Sequence, residues 1–501
     1  MFLWVYFMFV ILFLYLGKRH IRRYVVASRI YSTKKNLPFI GVAHHFSGDT
    51  ESIMESLVDL SSECSENGGV LRAWLGPLLY LITTDPEKID VILKHHLDKD
   101  DVIKVLHLGV GYGSLFAPGP IWKPRRKVMI SVLHPKVLTN FFDTFVQRGK
   151  KLAENLAVIA VDKEPKSIWP YLNSHSFDII WETTIGKSSI DFDRHKETFL
   201  DAITQVKDYL TTRIFHFWLQ PDFTFRLHPN FAKIEALKKT GYAFLDEVVR
   251  NKRREFNEQH VTDQSLGQIN EKSTLFDLFL SFSKRDNNGY NDLEMREELL
   301  SLFLAATETC ANAVCIVLKL LGKYPLVQEK VYEEMCAAFQ DQDMLPNNKE
   351  DLAKLEYLER VINETLRLYP AAPFIIRKTN KDIKFPDGIT IPENISVLIS
   401  IWGLHRNKKY WGSDADCFDP DRFLPERYTQ VPPGCYIPFI AGPRNCPGYS
   451  YAMMSMKITL CVLLKDFRVQ PDPEDGPIPH IRVKFDITMS VLDDKVALEK
   501  R

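Results

Sequence analysis

Residues 1–17 (MFLWVYFMFVILFLYLG) carry no charged side chain, and Lys18, Arg19, His20, Arg22 and Arg23 follow at once. A cleaved leader puts its positive charge ahead of the apolar run and small residues behind it. Here the order is reversed. The run therefore predicts a short uncleaved membrane anchor with its basic flank on the cytoplasmic side. The alternative is an N-terminal helix buried in the body. Residues 18–45 read as a basic connector ending in Leu37-Pro38-Phe39-Ile40-Gly41. The stretch VLRAWLGPLLYLIT at 70–83 predicts two short strands around Gly76-Pro77. From 86 to 255 most segments have helical spacing, and the polar residues 257–274 lack a period and predict a loop. One long helix is expected from Asp292 to Leu321, closed by Gly322 and Pro325. Its middle is apolar nearly all round, as in a helix that runs through a core. A second helix is expected over 350–368, stopped by Pro370, and residues 378–400 alternate like strands around Pro386-Asp387-Gly388. The sum is a mainly α body with a minor β-sheet (α+β), spanning 46–501.

Composition narrows the function. Hydrophobic residues make up 45% of the 501, enough for a large core, so a mainly disordered chain is excluded. Lys+Arg and Asp+Glu are 64 each, and a balanced chain lacks the basic excess of a nucleic-acid binder. Eight Cys without any CxxC pair make neither a disulfide scaffold nor a zinc site.

The sharpest chemical feature is PFIAGPRNCPGYSYA, residues 438–452. It is a glycine-bearing loop that presents Cys446 ahead of an apolar helical pattern reaching Leu464. A helix N-terminus favours a thiolate. Pro447 suits a first helical position, and Gly442 and Gly448 allow a tight turn and close approach of a flat ligand. Arg444 is placed to meet an anion. A thiolate on such a loop is able to ligate haem iron. The other seven cysteines read as buried, inert side chains. Gly109, Gly111 and Gly113 lack the spacing of a dinucleotide fingerprint and read as a turn.

Phe439, Gly442, Arg444, Cys446 and Gly448 together resemble the haem-binding loop Phe-x-x-Gly-x-Arg-x-Cys-x-Gly of the cytochrome P-450 family. Further marks stand in the same order. Glu364 and Arg367, three apart on one helix face, match the family's Glu-x-x-Arg, and Arg422 in FDPDRF matches the third member of that ion network. The resemblance implies a structural role for these three. Trp122 and Arg126 match a Trp-x-x-x-Arg that contacts haem propionates, and Arg377 and Arg444 resemble two further propionate partners, for which a planar guanidinium is suited. Within AATETC on the long helix, Glu308-Thr309 resembles the family's acid–alcohol pair, which relays protons towards dioxygen. A mid-helix Thr turns its hydroxyl to the carbonyl four residues back and opens a polar notch. Ala305 stands where some fatty-acid hydroxylases carry a haem-esterifying Glu, so covalent haem is not expected.

The resemblance implies a cytochrome P-450 fold with haem b between the long helix and the Cys446 loop. It implies a monooxygenase that takes O2 as co-substrate and inserts one oxygen atom into an apolar small molecule. Electrons would come from NADPH through a diflavin reductase, with cytochrome b5 as a further partner. The body would sit on the cytoplasmic face of the endoplasmic reticulum membrane. Expected pocket residues are Phe215, Phe217, Phe303, Ala305, Ala306, Phe374, Ile375, Ile376 and Ile487. Two other readings stay open: a haem-thiolate isomerase or dehydratase that needs neither O2 nor a reductase, and a non-enzymatic membrane haem-binding protein.

Overall fold

A computed structural model describes residues 24–161, 163–186, 190–260, 273–285, 289–339, 344–471 and 480–501. The predicted anchor at 1–17 and residues 261–272 of the predicted loop lie outside the described residues; residues up to His260 continue the preceding helix.

The four-stranded sheet is built from β1 (Val70–Leu75), β2 (Leu78–Thr83), β3 (Phe374–Lys378) and β4 (Ser396–Ser400), in the order β1-β2-β4-β3. β1 and β2 form the hairpin predicted around Gly76-Pro77. β2 runs parallel to β4, which pairs antiparallel with β3. The open edge of β1 is covered by the chain before it, an ordinary way to protect unpaired edge groups. Arg72 N–H donates to Tyr31 O at 2.7 Å, and Val42 N–H to Trp74 O at 2.6 Å. The folded body therefore takes in residues from Tyr31 onward, ahead of the start predicted at 46.

The helices used below are α1 (Pro86–His95), α2 (Gly119–Val132), α3 (Trp169–Ile185), α4 (Ile190–Phe215), α5 (Phe231–His260), α6 (Asp292–Lys323), α7 (Glu356–Leu368) and α8 (Tyr449–Asp466). A small hairpin of β5 (Val483–Asp486) and β6 (Thr488–Val491) follows. The architecture is mainly α with a minor β component, as predicted.

The central element is α6. Asn291 and Glu294 form a reciprocal capping box at its start, satisfying two orphan N–H groups. It ends at Lys323 rather than Leu321. Gly322 lies inside it, at a place where a Cβ would stand 3.1 Å from the carbonyl oxygen of Gln470, and Pro325 then opens the next helix. Among the described residues α6 is the one helix long and apolar enough to cross a membrane, and it is mostly buried. It serves as the core, with α3 packed along it: Trp169 Nε1–H donates to Asn312 Oδ1 at 3.0 Å, and Phe177 and Trp181 meet Phe303 with ring centroids 5.6 and 5.5 Å apart. The helix predicted over 350–368 is interrupted at Leu355, with a 3₁₀ turn before it. Glu334 restarts it, accepting the Tyr357 and Leu358 N–H groups at 2.6 and 2.9 Å.

Of the three glycines at 109–113, Gly109 ends up in a short helix (His107–Val110) against Val206 and Leu210 of α4, and Gly111 and Gly113 form the turn, pressed against α6. A Cβ on Gly113 would lie 2.3 Å from the Glu297 carbonyl oxygen, and Gly111 adopts φ +66°. The turn is tied down by Glu298, fully buried, which accepts from Ser114 N–H and Oγ–H at 3.1 and 2.9 Å and from Arg125 Nη1 at 3.2 Å. Burial pushes the Glu298 carboxyl up to about 7, against the opposing pull of Arg125. The folded chain thus holds one more proton than the unfolded chain between about 4.5 and about 7. Stability should fall as pH rises through that window, by on the order of 3 kcal/mol. Thermal unfolding of Glu298→Gln between pH 5 and 8 should lack this component; identical pH profiles for both proteins would show that Glu298 does not titrate there.

Candidate active site

The loop before α8 is held by backbone constraints on both sides of the thiol. Cys446 N–H donates to Phe439 O at 2.8 Å, closing the turn. Gly442 has φ +74°, and a Cβ would meet Leu93 O of α1 at 2.6 Å, so no other residue fits without moving backbone. Phe439 packs edge-on to Tyr449, centroids 4.8 Å apart. The helix begins at Tyr449 with Gly448 as its N-cap, so Pro447 lies ahead of the helix and not at the expected first helical position. The turn around Gly448 uses up the residue that periodicity assigned to the helix. Burial raises the Cys446 thiol; the Gly448 N–H, bonded to the sulfur, and the Arg126 charge oppose that rise.

The thiol opens into an apolar cavity of about 530 Å³. α6 forms the facing wall. Thr309 Oγ1–H donates to Ala305 O at 2.6 Å, the predicted back-bond. Phe215, Ala305, Ala306, Glu308, Thr309, Phe374, Ile375, Ile376 and Ile487 all line this cavity. Phe303 does not. It is fully buried on the α3 side of the helix, against Phe177 and Trp181 and about half a turn of rotation from Ala305 on the wall, so the pocket assignment for it is corrected. The side chain of Phe217 lies outside the described residues. Ile487 sits at the tip of the β5–β6 hairpin at φ +68°, a strained conformation for a β-branched residue and one concentrated at functional sites.

At the thiol end the cavity is lined by Trp122, Arg126, Arg377 and Arg444, and by Lys99, which sequence reasoning missed. None of these four cations makes an ion pair with Asp or Glu among the described residues. Arg444 donates to Leu97 O at 2.9 Å and to Ala117 O, and lies 4.6 Å over the Trp122 ring. Arg126 reaches Asn445 O at 2.7 Å and Asn445 Oδ1. Among the described residues Arg377 bonds only its neighbour Ile376 O, at 2.9 Å. Nε of Arg126 and of Arg377 is buried without a partner. Burial lowers Arg377 and Arg444 to about 10, and Arg377 and Arg444 together add to the burial that holds Lys99 well below its ordinary range. Arg377 and Arg444 are buried and Arg126 and Lys99 half-buried, and buried, uncompensated cations are costly. This cluster fits a ligand that brings carboxylates, beside a thiol and an apolar cavity that fit its flat body and an iron.

The predicted ion network holds this loop from behind. Arg367 Nε and Nη2 bond Glu364 at 2.7 and 2.8 Å, and its remaining donors reach the carbonyls of His405, Ala415 and Cys417. All five guanidinium donors are used with the pair fully buried. Arg422 Nε stands 3.5 Å from Glu364, and its Nη2 2.7 Å from Asp414. His405 extends the network to the loop: its Nε2 accepts Ile437 N–H at 2.8 Å, so Nδ1 carries the proton facing Arg367 O at 3.2 Å. Burial and Arg367 lower His405 to about 3, which fixes it neutral.

A cytochrome P450 family model matches residues 32–495. The chain belongs to the cytochrome P450 family. It is similar to cytochrome P450 4d2 of Drosophila melanogaster, 31% identical over 459 residues, covering 89% of each chain. It is also similar to cytochrome P450 4c21 of Blattella germanica, 31% identical over 401 residues and 79% of each. The crystal structure of a cytochrome P450 (CYP102L1) shares the fold, with a TM-score of 0.79 at 21% identity, covering 94% of this chain and 99% of that one. This cytochrome P450 is a haem-dependent monooxygenase, consistent with a thiol and uncompensated cations at one end of an apolar cavity.

Two further site residues had no signal in the sequence. Lys207 of α4 pairs with Glu308 at 2.6 Å, and Thr488 Oγ1–H donates to Glu308 at 3.3 Å. Their helical or strand spacing resembles that of any solvated face, and only the fold turns them inward.

Proposed function

We propose that the protein is a membrane-anchored monooxygenase that inserts one oxygen atom of O2 into an apolar small molecule, the other being reduced to water. Electrons come from NADPH through a diflavin reductase, with cytochrome b5 as an alternative donor. The observation that carries this reading is that Cys446 and Thr309 line one and the same apolar cavity. A bound haem supplies the redox chemistry of O2 activation. Cys446 provides the thiolate, with the Gly448 N–H withdrawing charge from it. Arg126, Arg377 and Arg444, with Lys99 and the Trp122 ring, hold the two carboxylates. Phe439, Gly442 and Gly448 shape the loop against the flat face, and Glu364, Arg367 and Arg422 keep it in place. Thr309, already donating to Ala305 O, offers its oxygen to the cavity as a proton-relay group, and Glu308 stands beside it as the acid. The apolar lining excludes water from the reacting centre.

Exposed Lys123 and Lys127 flank the cation-bearing face of α2 and suit an acidic electron donor. The apolar run at 1–17 supports anchoring in the endoplasmic reticulum membrane.

Two outcomes are expected. The reduced, CO-bound protein shows the red-shifted Soret band of thiolate-ligated haem. Cys446→Ser abolishes it and Cys435→Ser keeps it; the reverse pattern would move the ligand to Cys435. Thr309→Ala continues to consume NADPH but diverts it to hydrogen peroxide, with product per NADPH falling by on the order of 10²-fold. An unchanged product-to-NADPH ratio would remove Thr309 from the relay.

A further inference from the structure

The cavity's charges, taken one by one, bear on what it can accept. Six Lys and Arg side chains line it: Lys99, Arg126, Lys207, Lys238, Arg377 and Arg444. Four form the cluster at the Cys446 end, which the reading above assigns to the carboxylates of the haem. The other two are already paired. Lys238 meets Glu235 at 2.6 Å, and Lys207 meets Glu308 at 2.6 Å with both side chains about nine-tenths buried. Asp486, the other acid on the lining, is paired with Lys484 at 2.6 Å. Beyond the haem end, the wall is otherwise apolar or carries neutral hydroxyls.

We infer that this site selects uncharged apolar substrates over carboxylic acids, with Glu308 as the residue that enforces the choice; the inference rests on the haem-monooxygenase reading of the same cavity. An incoming carboxylate that bypasses Lys238, whose partner Glu235 is half-exposed, and reaches the Glu308 end has two options. It stays unpaired among apolar side chains, which is strongly unfavourable. Or it takes Lys207 from Glu308 and leaves that carboxylate buried beside it, which exchanges one unpaired anion for another. Glu308 thus neutralises the one cation on the α4 side that a substrate acid would otherwise use. A neutral ester of the same chain meets neither cost. The acid is also placed wrongly: Lys207 touches the residue next to Thr309, so a carboxylate held there would lie at the reacting end of the cavity.

The test uses matched pairs of saturated fatty acids and their methyl esters, from 8 to 18 carbons, titrated into the full-length haem-loaded protein at pH 7.4. Binding is read from the ligand-induced shift of the haem absorption band. At the best chain length the ester should bind at least about tenfold tighter than the acid. In Glu308→Gln, which releases Lys207, the gap between acid and ester should narrow to within about threefold. In the double variant Lys207→Gln/Glu308→Gln no cation is released, and the original gap should return. Acids binding as tightly as their esters in the unaltered protein would overturn the inference. So would esters that fail to bind at every length, a gap unchanged in Glu308→Gln, or a gap that closes equally in the double variant. Failure of the underlying reading is seen separately, as absence of the thiolate-type CO band before any ligand is added.

Discussion

Buried positive charge without a protein counter-ion sets the terms for this structure. Buried Arg377 and Arg444 and half-buried Arg126 and Lys99 surround one end of an apolar cavity and pair with no described carboxylate, and the Nε groups of Arg126 and Arg377 have no partner among the described residues. Each buried ion of this kind costs several kcal/mol unless something compensates it. A fold that maintains such a cluster is completed by a ligand, and the ligand must be anionic on its edge and apolar on its faces. The thiol of Cys446 beside the cluster adds the demand for a metal in the middle.

Everything else in the body keeps that geometry. The Glu364–Arg367 pair uses every donor it has, so it acts as a rigid joint between α7, the segment at 405–417 and, through His405, the residues that lead into the Cys446 loop. Removing one partner of such a pair leaves an uncompensated charge, at a typical cost of 3–5 kcal/mol. On the opposite wall α6 is anchored at its start by a capping box and by the Arg125–Glu298–Ser114 contacts, which also fix the turn of the cavity at 111–114.

Much of this could be read along the chain, for identifiable reasons. The length and all-round apolarity of 292–321 mark a core helix, because only burial tolerates such a surface. The Cys446 loop was legible because its glycines, arginine and cysteine stand at fixed short spacings, each tied to a local backbone requirement such as φ +74° at Gly442. Long-range pairings were not legible. Lys99 and Lys207 read as ordinary solvated lysines, and only the packing of α4 and of the segment after α1 against the cavity turns them inward. Phe303 failed for the converse reason: an apolar helix gives no phase, so which of its side chains face the ligand and which face α3 is decided by neighbours far away in the chain. The pairing of the chain ahead of 46 with the edge of β1 was not legible because it depends on hydrogen bonds, to which hydropathy is blind.

The most direct test of the cation cluster is a comparison of two ligands on protein freed of haem: iron protoporphyrin IX and its dimethyl ester, which has the same flat body and iron but no carboxylates. Affinity is followed by quenching of tryptophan fluorescence. The dicarboxylate should bind more than about tenfold tighter than the diester, because only it supplies the charge-assisted bonds that the guanidinium groups lack. Equal affinity for the two would contradict the assignment of Arg126, Arg377, Arg444 and Lys99 as an anion cradle.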